Sequence, residues 1–184
     1  MAGSSAADRR CGRMHALKNI VTLAACASMT AACASGDSYQ ISAMQASEGG
    51  DLKTAISLAK KEAARFSGPD QCSRTTNLNC GTLALAYGTL AAYQILGGDS
   101  IAGEESFIQA KGALSLTDAA NRSSATGVVY RDVSEAFWKV GDRARAVAVF
   151  KEGRAAGADQ YLFMSSAARA ADQQPTDQQP TDSR

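Results

Sequence analysis

A single histidine, a single tryptophan and no surplus of either charge characterise this chain of 184 residues. With 19 basic and 18 acidic residues it lacks the basic field that holds nucleic acid, so no nucleic-acid partner is expected. Aromatic residues are sparse, at 6%, and no run alternates apolar and polar positions as a half-buried strand does. The uncharged stretch from Asn19 to Ala32 is too short to span a bilayer as a helix. What is abundant is alanine, which has the best intrinsic helix propensity and whose small side chain lets helices approach closely. These features predict an all-α fold.

The N-terminus reads as a targeting segment. Arg9, Arg10, Arg13 and Lys18 precede the uncharged stretch, which ends in Thr30-Ala31-Ala32-Cys33. Basic residues, a short apolar run and small residues form the pattern of a secretory signal. The cysteine directly after the small residues resembles a bacterial lipoprotein signal, which is cut before a lipid-modified cysteine. Leu23-Ala24-Ala25-Cys26 has the tighter local box, but Lys18 leaves it too little apolar run, so Cys33 is the expected lipidation site. Met14 is an alternative start to Met1. The Arg9-Arg10 pair reads as part of a basic leader, since Cys-Gly-Arg follows it and not an apolar run. The expected division is a signal peptide over 1–32, a lipidated linker over 33–38, a helical domain over 39–171 and a polar tail over 172–184. Loss of the leader removes four basic residues, one acid and His15, leaving 15 Lys+Arg against 17 Asp+Glu. Ala34 after the cysteine resembles lipoproteins sent to the outer membrane, which implies a domain held close to the membrane and facing the periplasm.

Of five cysteines, Cys11 and Cys26 lie in or before the leader and Cys33 would be acylated. Cys72 and Cys80 remain, bracketing the polar stretch Ser73 to Asn79 in a protein read as exported, where disulfides persist. A redox pair would show Cys-x-x-Cys spacing beside a strand. A zinc site would need more ligands than two thiols in a mature chain without histidine. A structural disulfide is the expectation, with no metal and no cofactor.

Three tyrosines are each followed, eleven residues later, by Gly-Asp: Tyr39 by Gly50-Asp51, Tyr87 by Gly98-Asp99 and Tyr130 by Gly141-Asp142. A recurring offset signals one structural unit used repeatedly. In the third unit Tyr130, Val133, Ser134 and Phe137 share a helix face, Gly141 can end that helix, Asp142 can cap the next, and Ala146, Phe150 and Gly153 line the second helix. The second unit has Tyr87, Leu90, Ala91, Gly103, Phe107 and Ala110 at the same places. The first has Tyr39, Ser42, Ala43, Ala55 and Ala59, with Glu62 last. This pattern, over roughly residues 36–157, resembles the tetratricopeptide repeat. The tyrosines are 48 and 43 residues apart, against about 34 for that repeat, so extra segments follow the first two units. The resemblance implies a stack of three helical hairpins, with a final helix from Tyr161 to Ala171 covering its end. Beyond it, the duplicated Gln173-Gln174-Pro175-Thr176-Asp177 is too polar to bury.

The resemblance also implies a concave groove that takes an extended protein segment and is lined by the first helix of each pair. Carried over by position, that groove would draw on Gln40, Met44 and Ser47, then Gly88, Ala92 and Ile95, then Arg131, Glu135, Trp138 and Lys139, with Trp138 as anchor. Trp138 packed against the final helix is the alternative. The expected role is an adaptor or scaffold for an envelope protein or peptide, anchored through lipid, and not an enzyme. Ser57-Leu58-Ala59-Lys60 does match the Ser-x-x-Lys signature of penicillin-recognising hydrolases, which makes a small envelope hydrolase, or a regulator of one, the alternative beside a purely structural lipoprotein. Neither Ser-Asp-Asn nor Lys-Thr-Gly follows it, so an exposed Ser and Lys on a helix is the plainer reading.

Overall fold

Each of the three Gly-Asp pairs closes a helical hairpin by the same local chemistry. A computed structural model describes residues 38–158 and 165–173. It contains α1 (Tyr39–Glu48), α2 (Leu52–Phe66), α3 (Cys80–Leu96), α4 (Ser100–Leu116), α5 (Ala119–Lys139), α6 (Arg143–Ala155) and α7 (Ser166–Gln173), with no strand among the described residues. The fold is all-α. The expected signal peptide over 1–32, Cys33, Tyr161 to Met164 and the tail beyond Gln173 lie outside the described residues.

Gly50, Gly98 and Gly141 sit at φ of 82°, 88° and 90°, a left-handed conformation that costs a glycine nothing. The aspartate after each donates its backbone N–H to the carbonyl five residues back, Asp51 to Ala46 at 2.8 Å, Asp99 to Gln94 at 2.9 Å and Asp142 to Phe137 at 3.0 Å. This is the Schellman closure of a helix end. The same aspartates then cap the following helices, accepting from the amides of Thr54, Ala102 and Arg145 at 3.0 Å each. Gly157 (φ 84°) and Ala158 repeat the closure at the end of α6.

Equivalent positions of the units also share burial. Ala43, Ala91 and Ser134 are wholly buried, and so are Ala55 and Ala146. Gly103, the partner of those last two, is buried as well. Phe107 and Phe150 fill the space beside these small residues. Tyr130 sets its ring edge-on to Phe107 of the preceding hairpin, with centroids 5.1 Å apart, and its hydroxyl donates to Glu152 Oε1 at 3.3 Å. Tyr87 is half-buried against the same core, whereas Tyr39, with no described hairpin before it, is exposed and lies under Lys61. The tyrosines' different exposures thus follow their order along the stack.

The stacking is uneven. α2 packs on α3, α3 on both α4 and α5, and α5 on α6, while α1 packs closely only on α2. Two ion pairs, Arg145–Glu104 and Lys111–Glu152, bridge α6 and α4. The extra length noted in the sequence has two destinations. Residues 67–79 form a loop closed by the expected Cys72–Cys80 disulfide, whose Cα atoms are 4.8 Å apart. The remainder lengthens the first helices, since α3 begins seven residues before Tyr87 and α5 eleven before Tyr130. The final helix, α7, runs to Gln173, two residues past the expected end, and buries Ala167 and Ala168.

Candidate functional site

The first helices α1, α3 and α5 together border a cleft of about 300 Å³. One wall is Gln40, Met44 and Ser47 of α1; the floor is Thr89, Ala92, Tyr93 and Leu96 of α3; the other wall is Asp132, Glu135, Ala136 and Lys139 of α5. Residues three, four and seven apart share one face of a helix, and each helix contributes such a set. The cleft exists because α1 does not close on α3 as α5 does, so α3 is left between two separated walls.

The expected lining is thereby partly corrected. Met44, Glu135 and Lys139 line the cleft, with Gln40, Ser47 and Ala92. Ile95 does not: it is wholly buried, because Gly103 across the hairpin leaves room for its side chain. Gly88 is also turned inward, against Val129 of α5. Trp138 is half-buried beside the core, with the Arg143 guanidinium 5.1 Å from its ring centre, and lies outside the cleft. Arg131 reaches the cleft only through its neighbour, donating from Nε and Nη2 to Asp132 Oδ1 at 3.0 and 2.9 Å. In α3 and α5 the lining positions fall two, five, six and nine residues after the tyrosine, whereas α1 uses one, five and eight. The rotation follows from packing. Where α5 closes on α3, the position after Tyr87, Gly88, is consumed by contact with Val129, and the groove face shifts by one residue.

Two residues central to the cleft were missed from sequence, Tyr93 and Asp132. The half-buried Tyr93 holds its phenol above the usual range, first through burial, then through the charges of Asp132 and Glu48, with Ser47 opposing. It therefore stays a neutral donor between the two walls. Asp132 is also raised, mainly by burial, against the opposing effect of Arg131. The signal for Tyr93 was its place beside Gln94, which stands where the third unit has Phe137. Gln94 is itself buried and hydrogen-bonded to Ser106 of α4 at 2.6 Å, which leaves Tyr93 to face the cleft. Glu135 has a further duty, since its Oε1 accepts the backbone N–H of Ser166 at the start of α7.

The cleft thus offers an apolar floor (Ala92, Leu96 and the Tyr93 ring), a flexible thioether at Met44, and a charged wall. Lys139 is exposed on that wall. Such a surface can hold an extended chain by apolar contact and hydrogen bonds. Ser57 and Lys60 are both exposed on α2, away from this cleft. No family model, curated protein or solved structure matches the chain.

Proposed function

We propose that this protein is a lipid-anchored adaptor of the bacterial cell envelope that holds an extended segment of a partner protein in the α1–α3–α5 cleft. The observation that carries this reading is the cleft itself, lined from three successive first helices and combining an apolar floor with polar walls. Met44, 47% exposed at its edge, is a flexible apolar residue able to adapt to different side chains. Tyr93 is the aromatic anchor in place of Trp138. Acylation at Cys33 and an outer-membrane position facing the periplasm complete the proposal; their support is the leader sequence.

In vivo crosslinking through a photoreactive residue at Met44 or Thr89 tests the cleft. It should give discrete adducts with an envelope protein, weakened by Tyr93→Ala and by Lys139→Glu and retained in Trp138→Ala. Adducts that persist in both cleft variants and vanish in Trp138→Ala would move the binding surface elsewhere. Metabolic labelling with a clickable fatty acid tests the anchor. Cys33→Ser should abolish the label and Cys26→Ser should keep it.

A further inference from the structure

The outward face of α2 is basic along its whole length. Lys53, Ser57, Lys60 and Ala64 follow one another at helical spacing, with Lys61 and Arg65 alongside, and all six are exposed. No acid interrupts the face, because Glu62, the one acid of α2, is 4% exposed and points inward. None of these four cations forms an ion pair among the described residues, although Lys61 and Arg65 lie over the rings of Tyr39 and Phe66. The exposed Asp51, which caps the helix, lies close enough to Lys53 to feel its charge without forming an ion pair. From Lys53 to Arg65 the charges extend over about 18 Å.

The chain enters the described fold beside α2, along the edge that Lys61 borders. Ser38 donates its hydroxyl to Glu62 Oε1 at 3.1 Å, next in sequence to Lys61, and the Tyr39 ring lies 5.8 Å from Lys61 Nζ. Ser38 follows Cys33 by five positions, at most about 18 Å of chain. A lipid on Cys33 would therefore hold a bilayer within about 18 Å of Ser38, beside the α1–α2 hairpin. Unpaired lysines are attracted to anionic headgroups, and a partly exposed tyrosine suits the interfacial zone.

We infer that the α2 face formed by Lys53, Lys60, Lys61 and Arg65 docks on the anionic phospholipid surface, laying the domain on the membrane by a defined side. The inference rests on the lipid-anchor part of the proposed function. It also gives Lys60 a role that needs no catalysis by Ser57. The cleft borders α1, α3 and α5, so a domain seated on α2 keeps its partner site free of the bilayer.

The test uses the mature chain, residues 33–184, with Cys33→Ser, which removes both the acyl group and the basic, apolar leader, in co-sedimentation with vesicles of equal parts phosphatidylcholine and phosphatidylglycerol. Binding should weaken about fivefold for each lysine removed, so that Lys53→Gln/Lys60→Gln/Lys61→Gln loses about a hundredfold with an unchanged helical circular dichroism spectrum. It should also fall steeply with added salt and be absent with pure phosphatidylcholine. Equal binding to neutral vesicles, or full binding by the triple variant, overturns the inference. So does capture of polyglutamate without vesicle binding, which would assign the face to an acidic protein. Fatty-acid labelling at Cys33 separates the two claims. A labelled protein whose unacylated form ignores anionic vesicles loses the docking face and keeps the anchor. Lysine-dependent vesicle binding without a label keeps the face and removes the anchor.

Discussion

Gly103→Ala sets repeat logic against packing. The equivalent residues of the other hairpins, Ala55 and Ala146, are alanines, and Gly103 lies in the interior of α4. Judged by the repeat and by helix propensity, alanine should stabilise by about 1 kcal/mol. The structure reverses the sign. A Cβ at Gly103 would come 2.5 Å from Ile95 Cγ1 and 3.1 Å from the Ala91 carbonyl oxygen. Ile95 is wholly buried and the carbonyl is helix backbone, so neither gives way easily. Overpacking of this kind costs roughly 1–3 kcal/mol, and so close an approach belongs at the upper end. The net expectation is a loss of about 2 kcal/mol, or roughly 8 °C in Tm for a domain of this size. Thermal unfolding followed by circular dichroism measures it directly. In an Ile95→Ala background the same change should be close to neutral or stabilising, a coupling of about 2 kcal/mol in the double-mutant cycle. A higher Tm for Gly103→Ala alone, or additive effects in the cycle, would refute the Ile95–Gly103 packing argument and the reason given for Ile95 leaving the groove.

Reduction of Cys72–Cys80 should lower the unfolding free energy by about 2.5 kcal/mol, from the entropy of so short a loop, and a Tm shift with dithiothreitol that is absent in Cys72→Ser would confirm it. Asp142→Ala removes the acceptor for the Arg145 amide and should cost about 1 kcal/mol by urea unfolding. Asp132, with its pKa raised mainly by burial, binds its proton more tightly folded than unfolded, so its ionisation lowers stability as pH rises. Asp132→Asn should therefore raise Tm at pH 7, and the gain should disappear once the pH is low enough to protonate the carboxyl in both states. An unchanged Tm difference across that range would remove burial as the cause.

Local chemistry was legible in the residues. A left-handed glycine followed by a capping aspartate needs nothing beyond its own few neighbours, so the hairpin ends at Gly50-Asp51, Gly98-Asp99 and Gly141-Asp142 could be read directly. The Cys72–Cys80 link was equally local, spanning one short polar loop. The small residues at Ala43, Ala55, Ala91 and Ala146 marked the helix crossings, because only they let two backbones approach. The groove was less legible. Met44, Glu135 and Lys139 were placed by their repeat position, but Ile95, Arg131 and Trp138 were not, and Tyr93 and Asp132 went unnoticed.

The all-helical class, the hairpin boundaries and the disulfide were settled by the chain alone, because each depends on residues a few positions apart. Which face of each first helix turned toward the cleft was a tertiary decision. It depended on Gly103 making room for Ile95, on Val129 of α5 seating against Gly88, and on α1 standing away from α3. Contacts between hairpins rotate the exposed face by one residue, and a one-residue rotation of about 100° exchanges a buried side chain for a solvent-facing one.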